Sequence, residues 1–432
     1  MRARYLFREV DRRSQDGAET HLSMSQKLGL VPSSTLEHRT LVSASYAGGK
    51  LCERDDLVLN RLKAHLGVFA TARQSGVISP DYTVLRKTRE LNVRYYEHVL
   101  RSPPCRGELR IRAKGLVEGF WRLYTDDFGD IRLPVPPADE QRAIVRFLDH
   151  IDGRIRRYIR AKTKLIALLN EQKQTTIERA IVDTSHRAES LLGRYLGSIE
   201  QGWSPKAAEG ELGPDQWAVM TLSAVRRGVF DGGCVKPIPS TATIPAGIEL
   251  VDGDLLLTRA NTRERVGDTC IVQGVRPRTV LCDLVYRLVP DRTFFHPRFL
   301  MFQLLSHSLR TQIERDARGS SGTMPKIAQR HIRAWRVVRP GLDEQQRIVE
   351  HLDRAVTAIA QLQARVERDV FTLREYRTRL IADVVTGKLD VRAAAARLPD
   401  EPEDDEPVDQ LSEPDDDDDD DEQQPATADT DA

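Results

Sequence analysis

The sequence has no apolar run near the ~18 residues that a membrane-spanning helix needs. Its first fifteen residues, MRARYLFREVDRRSQ, lack the apolar stretch of a secretory signal. Cysteine is scarce: Cys52, Cys105, Cys234, Cys270 and Cys282 are odd in number and never form C-x-x-C. That argues against a disulfide framework or a zinc knuckle, and points to reduced, mostly buried thiols in a cytoplasmic protein. The nucleotide-binding patterns G-x-x-x-x-G-K-[ST] and G-x-G-x-x-G are missing, as are H-E-x-x-H and G-x-S-x-G. Gly48-Gly49-Lys50 is too short for a phosphate loop, and the ten histidines show no metal-ligand spacing. Ser320-Ser321-Gly322 has no accompanying base or strand–elbow–helix context, so it reads as a loop. Asp139-Glu140 and Asp343-Glu344 sit on adjacent helical positions, about 100° apart, and do not converge as a dyad. The sequence therefore offers no catalytic residue and no metal site, and a binding or organising role is expected.

Lysine is also scarce. Twelve of the 65 basic residues are lysine and 53 are arginine, a residue suited to bidentate contacts with phosphate or guanine. The formal net charge is zero, but its parts are separated. Residues 400–432 hold 18 of the 65 acidic side chains and no lysine or arginine, which leaves 47 acidic against 65 basic residues before them, a net of +18. Such asymmetry is a clue to partners. The tail, with aspartate at every position from 415 to 421, cannot bury apolar area and is expected to be disordered. It suits a solubilising role. It also suits electrostatic competition with DNA for the basic body, which salt should weaken.

What is present is a long internal repeat. Asp139-Glu140-Gln141, Ile144-Val145, Leu148 and Asp149 recur as Asp343-Glu344-Gln345, Ile348-Val349, Leu352 and Asp353, always 204 positions later. The same offset joins Arg94-Tyr95 to Arg298-Phe299 and Ser102 to Ser306; an offset of 198 joins Asp56-Leu57 to Asp254-Leu255 and Arg61 to Arg259. The expected domains are a globular part at 1–135, a helical part at 136–195, a second globular part at 196–338, a second helical part at 339–398 and the tail at 399–432.

The helical parts carry a heptad pattern. The first seam runs through Ile144, Leu148, Ile151, Ile155, Tyr158, Lys162, Leu165 and Leu169; the second through Ile348, Leu352, Ala355, Ile359, Leu362, Val366, Asp369 and Leu373. Asp139 and Asp343 stand where N-caps are expected, and Gly387 where a helix stop is expected. Two such helices in one chain bury their stripes most simply as an antiparallel pair. In the globular parts, residues 57–59, 255–257 and 280–289 read as strands, and 94–101 and 297–309 as helices. The fold class expected is α+β: two mixed α/β globular parts, two long helices packed as an antiparallel coiled coil, and a disordered acidic tail.

Candidate DNA-binding residues follow from charge and position. Residues 86–122 hold ten basic residues against four glutamates, Arg112 and Lys114 among them. In the second repeat Arg259, Arg263 and Arg265 surround Asn261 just after an inferred strand, and Asn261 has the amide edge that reads adenine. Arg61 holds the matching place in the first repeat. Ser321, Thr323 and Lys326, in and after a Gly-Ser-Ser-Gly-Thr segment, suit phosphate contacts. Each of these also suits a solvated charged loop.

At this point the chain resembles the specificity subunit of type I restriction-modification systems. The resemblance rests on Pro-x-x-x-Glu-Gln-x-x-Ile-Val at residues 136–145 and again at 340–349. It rests also on Leu380-Ile381 and Val384-Val385-Thr386-Gly387, and on the openings Arg8-Glu9-Val10-Asp11 and Leu28-Gly29-Leu30-Val31-Pro32. It covers nearly everything except the tail. Val182-Asp183-Thr184 lacks the stop glycine of the second helix, and the acidic tail is outside the family pattern.

The resemblance implies that each globular part is a target-recognition domain reading half of a bipartite double-stranded DNA site. The helices act as spacer and as docking site for methyltransferase subunits, and restriction subunits join that complex in host defence. The subunit itself would be no enzyme and bind no cofactor directly; S-adenosylmethionine, ATP and Mg would serve its partners in adenine-N6 methylation and restriction. The competing readings are a coiled-coil scaffold with basic protein-binding domains, and a self-contained DNA methyltransferase or nuclease.

Overall fold

A computed structural model describes residues 1–25, 28–36, 46–115, 121–185, 188–205, 212–317 and 324–399. Ser321, Thr323 and the acidic tail lie outside the described residues. The chain forms two compact units, Met1–Ala161 with Asp369–Ala432, and Lys162–Arg368. The units divide each long helix between them.

The first unit contains β1 (Phe7–Val10), β2 (Leu22–Ser25), β3 (Gly29–Pro32), β4 (Lys50–Cys52), β5 (Leu57–Asn60), β6 (Phe69–Thr71), β7 (Gly76–Ile78) and β8 (Tyr82–Lys87). Helices α1 (Val93–Arg101), α2 (Pro103–Arg112) and α3 (Thr125–Gly129) follow, and then α4 (Ala138–Val182) begins. The second unit holds β9 (Glu189–Leu191), β10 (Leu196–Gln201), β11 (Ala218–Met220), β12 (Val225–Arg226), β13 (Val229–Phe230), β14 (Val235–Pro237), β15 (Leu255–Thr258), β16 (Thr269–Ile271), β17 (Thr279–Val280) and β18 (Val285–Pro290). It continues through α5 (Pro297–Leu305), α6 (His307–Asp316), α7 (Gln329–Ala334), β19 (Arg336–Val338) and the start of α8 (Leu342–Val385). The end of α8 and the short α9 (Arg392–Ala396) return to the first unit.

Each unit is built on the same four-stranded antiparallel sheet, ordered β1-β8-β5-β6 in the first and β10-β18-β15-β16 in the second. The registers agree: Leu57 faces Leu85, and Leu255 faces Leu288. The central strands form because Leu57-Val58-Leu59 and Leu255-Leu256-Leu257 are apolar throughout, which suits a sheet covered on both faces; all six are at most 1% exposed. The acid before each strand is tied to a neighbouring strand. Asp56 accepts two bonds of 2.8 Å from Arg86, and Asp254 accepts one of 3.1 Å from Arg287. The second unit adds a three-stranded sheet, β14-β11-β17, whose Val219, Met220 and Val280 share a core with Leu256, Cys270 and Val285 of the four-stranded sheet.

Two sequence-based elements differ. The strand expected over 280–289 divides into β17 and β18, with residues 281–284 between them. The helix expected over 297–309 ends at Leu305, because Ser306 turns extended and its hydroxyl accepts from the Leu309 amide to cap α6. The long helices start one residue before their expected caps. Asp139 and Asp343 therefore lie in the first turn, where they complement the helix dipole without capping. Gly387 has φ +76°, and its amide donates to the Val384 carbonyl, ending α8 as the αL position requires.

Within each unit the two helix segments run antiparallel. In the first, Asp152 binds Arg377 while Ile144 and Leu148 share a core with Leu380 and Val384. In the second, Asn170 accepts from Gln363 at 2.8 Å, and Glu344 accepts from the Ser185 amide at 2.8 Å. The seams keep half of the expected register. Ile144, Leu148, Ile155, Leu169, Leu352, Ile359 and Val366 are buried, and Ile151, Ile348 and Leu373 are half-buried. Leu362, Tyr158 and Leu165, expected inside, are 45, 56 and 38% exposed. The alternate seam position falls one residue later, at Asp152, Ile159 and Ile166 in α4 and at Val356, Gln363 and Val370 in α8. An apolarity pattern passes over Asp152, yet Arg377 on the opposite helix neutralises it. Burial raises the Asp152 carboxyl, but Arg377 and Arg156 outweigh that and hold it below the usual value.

The duplicated Asp-Glu-Gln motif fastens each helix to its globular part. Gln141 donates to the Pro136 carbonyl and accepts from the Asn92 amide, both at 2.9 Å. Gln345 donates to Pro340 at 2.9 Å and Phe294 at 2.8 Å, and accepts from the His296 amide at 2.8 Å. About two turns on, Asp149 binds Arg94 and Asp353 binds Arg298, each at 2.8 Å.

Candidate nucleic-acid interface

In the second unit β15 delivers the chain at Thr258 into the 259–268 loop, and a second segment, 324–331, lies beside it. Ala260 and Lys326 form a backbone bridge, and the Ile327 amide donates to the Arg259 carbonyl at 2.9 Å. Arg259, Lys326, Arg330 and His331 line a shallow depression of about 240 Å³ at this junction. The Arg259 guanidinium stands 5.8 Å from the Tyr286 ring centre, and Nη1 donates to the Asp283 carbonyl at 3.4 Å.

The loop backbone is gripped from below. Arg310 donates to the carbonyls of Val266, Arg263 and Glu264 at 2.6, 2.9 and 3.0 Å. Arg227 donates to Glu264 O at 3.1 Å, and Thr258 Oγ1 to Arg265 O at 2.8 Å. Asp268, beneath the loop, is pushed up by burial despite Arg227, Arg310 and Arg265 nearby. The loop is thus fixed while the side chains of Arg263 and Arg265 stay exposed. Arg259, Arg263, Arg265 and Lys326 carry no ion pair among the described residues. A guanidinium or ammonium left unpaired in this way is free to meet phosphate.

Asn261 stands at the start of this loop. It is 8% exposed, and its Oδ1 accepts from the Thr262 amide at 2.9 Å. Its oxygen thus braces the loop, as a buried polar side chain at a strand end satisfies a backbone donor.

The first unit repeats this architecture. The Leu123 amide donates to the Arg61 carbonyl at 3.0 Å, as Ile327 does to Arg259, and Arg122 stands 204 positions before Lys326. A backbone bridge joins Lys114 to Arg122. Here the cations are occupied. Arg61 donates to the Asp81 carbonyl at 2.9 Å, and Arg61 and Arg122 both lie within 4.0 Å of the Asp81 carboxylate. Lys114 binds Asp127 at 2.8 Å, and Arg112 is turned back onto Glu108 of its own helix. By strand register the position of Asp81 is taken in the second unit by Leu284, which has no charge to offer. Arg122, Arg330 and His331 belong to these clusters and escaped the sequence reading. The 204 offset does connect Arg122 with Lys326, but Arg61 and Arg259 obey the other offset.

The fold is shared with a specific class of protein. A solved chain from the type I R-M system, from work on its complex assembly and conformational transition, superposes with a TM-score of 0.65 over 89% of this chain and 98% of its own, at 16% identity. The HsdS subunit from Thermoanaerobacter tengcongensis aligns more loosely, over 79% of this chain and 82% of its own, with a TM-score of 0.44 and 19% identity. In sequence, the chain is similar to the type I restriction enzyme EcoEI specificity subunit of Escherichia coli, 23% identical over 177 residues. That match covers 41% of this chain and spans 30% of the relative's length. No family model matches the chain. The chain thus resembles type I specificity subunits in sequence and has a type I R-M fold. Among the described residues, no helix is long and apolar enough to cross a membrane.

Proposed function

We propose that the chain is the DNA sequence-recognition subunit of a type I restriction-modification complex and performs no catalysis itself. Each globular part reads one half of a bipartite double-stranded site. The helices α4 and α8 set the gap between the halves and dock methyltransferase subunits, which restriction subunits join. Adenine methylation and ATP-dependent restriction then belong to those partners, with their S-adenosylmethionine, ATP and Mg. The observation that carries this reading is the set of cations without ion pairs among the described residues, Arg259, Arg263 and Arg265 on a braced loop and Lys326 on the segment beside it. A rigid loop holds its side chains in register with a groove, and phosphates then fix orientation while base edges supply the choice.

Partner docking is supported by apolar side chains left outside the helix pairing. In the second unit Leu168 and Leu362 are 52 and 45% exposed; in the first, Phe371 and Tyr376 are 67 and 54% exposed. A methyltransferase surface covering them would remove that apolar area from water.

Joined sites combine their affinities only when DNA presents both halves at the matching separation. Inserting one heptad into both helices and mapping methylation by the reconstituted complex tests the spacer. The expected result is an altered gap with unchanged half-site bases; an unchanged gap refutes the spacer role. Methylation by the isolated chain would instead support an enzyme, and failure to copurify with any methyltransferase subunit would support a scaffold.

A further inference from the structure

The first unit contains a cleft of about 630 Å³ that the DNA-reading loops do not use. It lies between β6, the exposed side of α1 and the first turns of α4, and residues 398–399 close one end. Seven arginines and two histidines face it, against three carboxylates. Part of this charge is neutralised in place: Arg94 binds Asp149 at 2.8 Å and Arg101 binds Glu97 at 3.2 Å. Arg54 and Arg73 are exposed and carry no ion pair among the described residues. The cleft therefore has surplus positive charge and needs an anionic occupant.

The chain itself delivers one. After α9 it turns into the cleft, and Arg146 donates to the carbonyls of Leu398 and Pro399 at 2.5 and 3.1 Å. The next residue is Asp400, and seven of the ten residues 400–409 are acidic. At ~3.4 Å per extended residue, a few residues suffice to carry carboxylates from Pro399 across a cleft of this size. Tethering gives those carboxylates a millimolar-scale local concentration that a free anion must exceed.

We propose that the acidic tail enters this cleft in the free protein as an intramolecular polyanion, through carboxylates of its first stretch, 400–409, with Arg54 and Arg73 as principal partners. The occupant is held mainly by charge, so salt releases it.

Arginine footprinting with phenylglyoxal, read residue by residue by mass spectrometry, tests this on the full chain without DNA. The comparison is a full-length variant whose tail Asp and Glu are replaced by Asn and Gln. At low salt Arg54 and Arg73 should react about threefold or more slowly in the natural chain than in the variant. At about 1 M salt, where the Debye length is ~3 Å, the two chains should react alike. Arg263, an exposed arginine of the second unit, should react equally in both throughout. Equal rates at Arg54 and Arg73 at low salt would overturn the proposal. Protection that fades on dilution would place a second copy's tail in the cleft and overturn its intramolecular character. Because no DNA enters the assay, its failure is distinguishable from failure of the recognition reading.

Discussion

Replacing Arg259, Arg263, Arg265 and Lys326 together by glutamine separates phosphate binding from the rest of the surface. Arg259 and Lys326 line one junction of the second unit, Arg263 and Arg265 are exposed on the loop that leaves it, and none is committed to a carboxylate among the described residues. Each phosphate neutralised contributes about 0.9 to the slope of log K against log salt on duplex DNA. If all four meet phosphates, the slope falls by ~3.6 in magnitude. Between about 50 and 200 mM salt the natural chain should then lose roughly 150-fold more affinity than the quadruple variant. Non-specific duplex binding by fluorescence anisotropy across that range gives the slope directly. A parallel variant, Arg61→Gln with Lys114→Gln, should change the slope much less. Those cations already have Asp81 and Asp127, and exchanging one partner for another gains little. An unchanged slope in the quadruple variant, or an equal drop in the double one, refutes the assignment of DNA contact to the unpaired cluster.

Gln345→Ala removes three hydrogen bonds from a fully buried side chain and should cost about 3 kcal/mol, at ~1 kcal/mol each. Gln141→Ala, with two such bonds, should cost about 2 kcal/mol; amide exchange in each unit measures both, and a reversed order would contradict the clamp. His65 and His296 titrate below 6.5, chiefly through burial, with Arg110 and Arg106 adding to the effect at His65. A depressed histidine binds its proton less readily folded than unfolded, so stability present above pH 6.5 is lost as pH falls toward the folded value. His296→Asn should therefore lose less melting temperature between neutral and mildly acid pH than the natural chain; an equal loss would exclude His296 as a source.

The repeat was readable because both copies keep the same residues where geometry needs them. Gln141 and Gln345 make matching bonds, and Asp149 and Asp353 matching ion pairs. Heptad spacing gave the antiparallel helices but put the alternate seam residue one position early. Apolarity favoured Leu362, whereas Gln363 turns inward to Asn170 on the opposite helix, and Asp152 turns inward beside the half-buried Ile151 because Arg377 waits there. Such compensation joins residues more than 190 positions apart, and no local pattern contains it. Strand-end position and charge point to Arg259 and Lys326, yet charge alone does not separate them from Arg61 and Lys114, which Asp81 and Asp127 occupy. The amide of Asn261 suits a base edge by its chemistry, while its burial follows from packing that no local sequence pattern contains.

The way the two units divide the long helices bears on the order of synthesis. The second unit is one uninterrupted stretch, while the first is closed only by residues beyond 368. On a ribosome the second unit has all its chain before the first does. The apolar face of α4 at Leu148 waits for Leu380, 232 residues later, or roughly 10–50 s at ordinary elongation rates. Throughout that interval the first globular part is a nascent domain with one wall missing, and any protein that shields Ile144, Leu148 and Ile155 then would act as its chaperone.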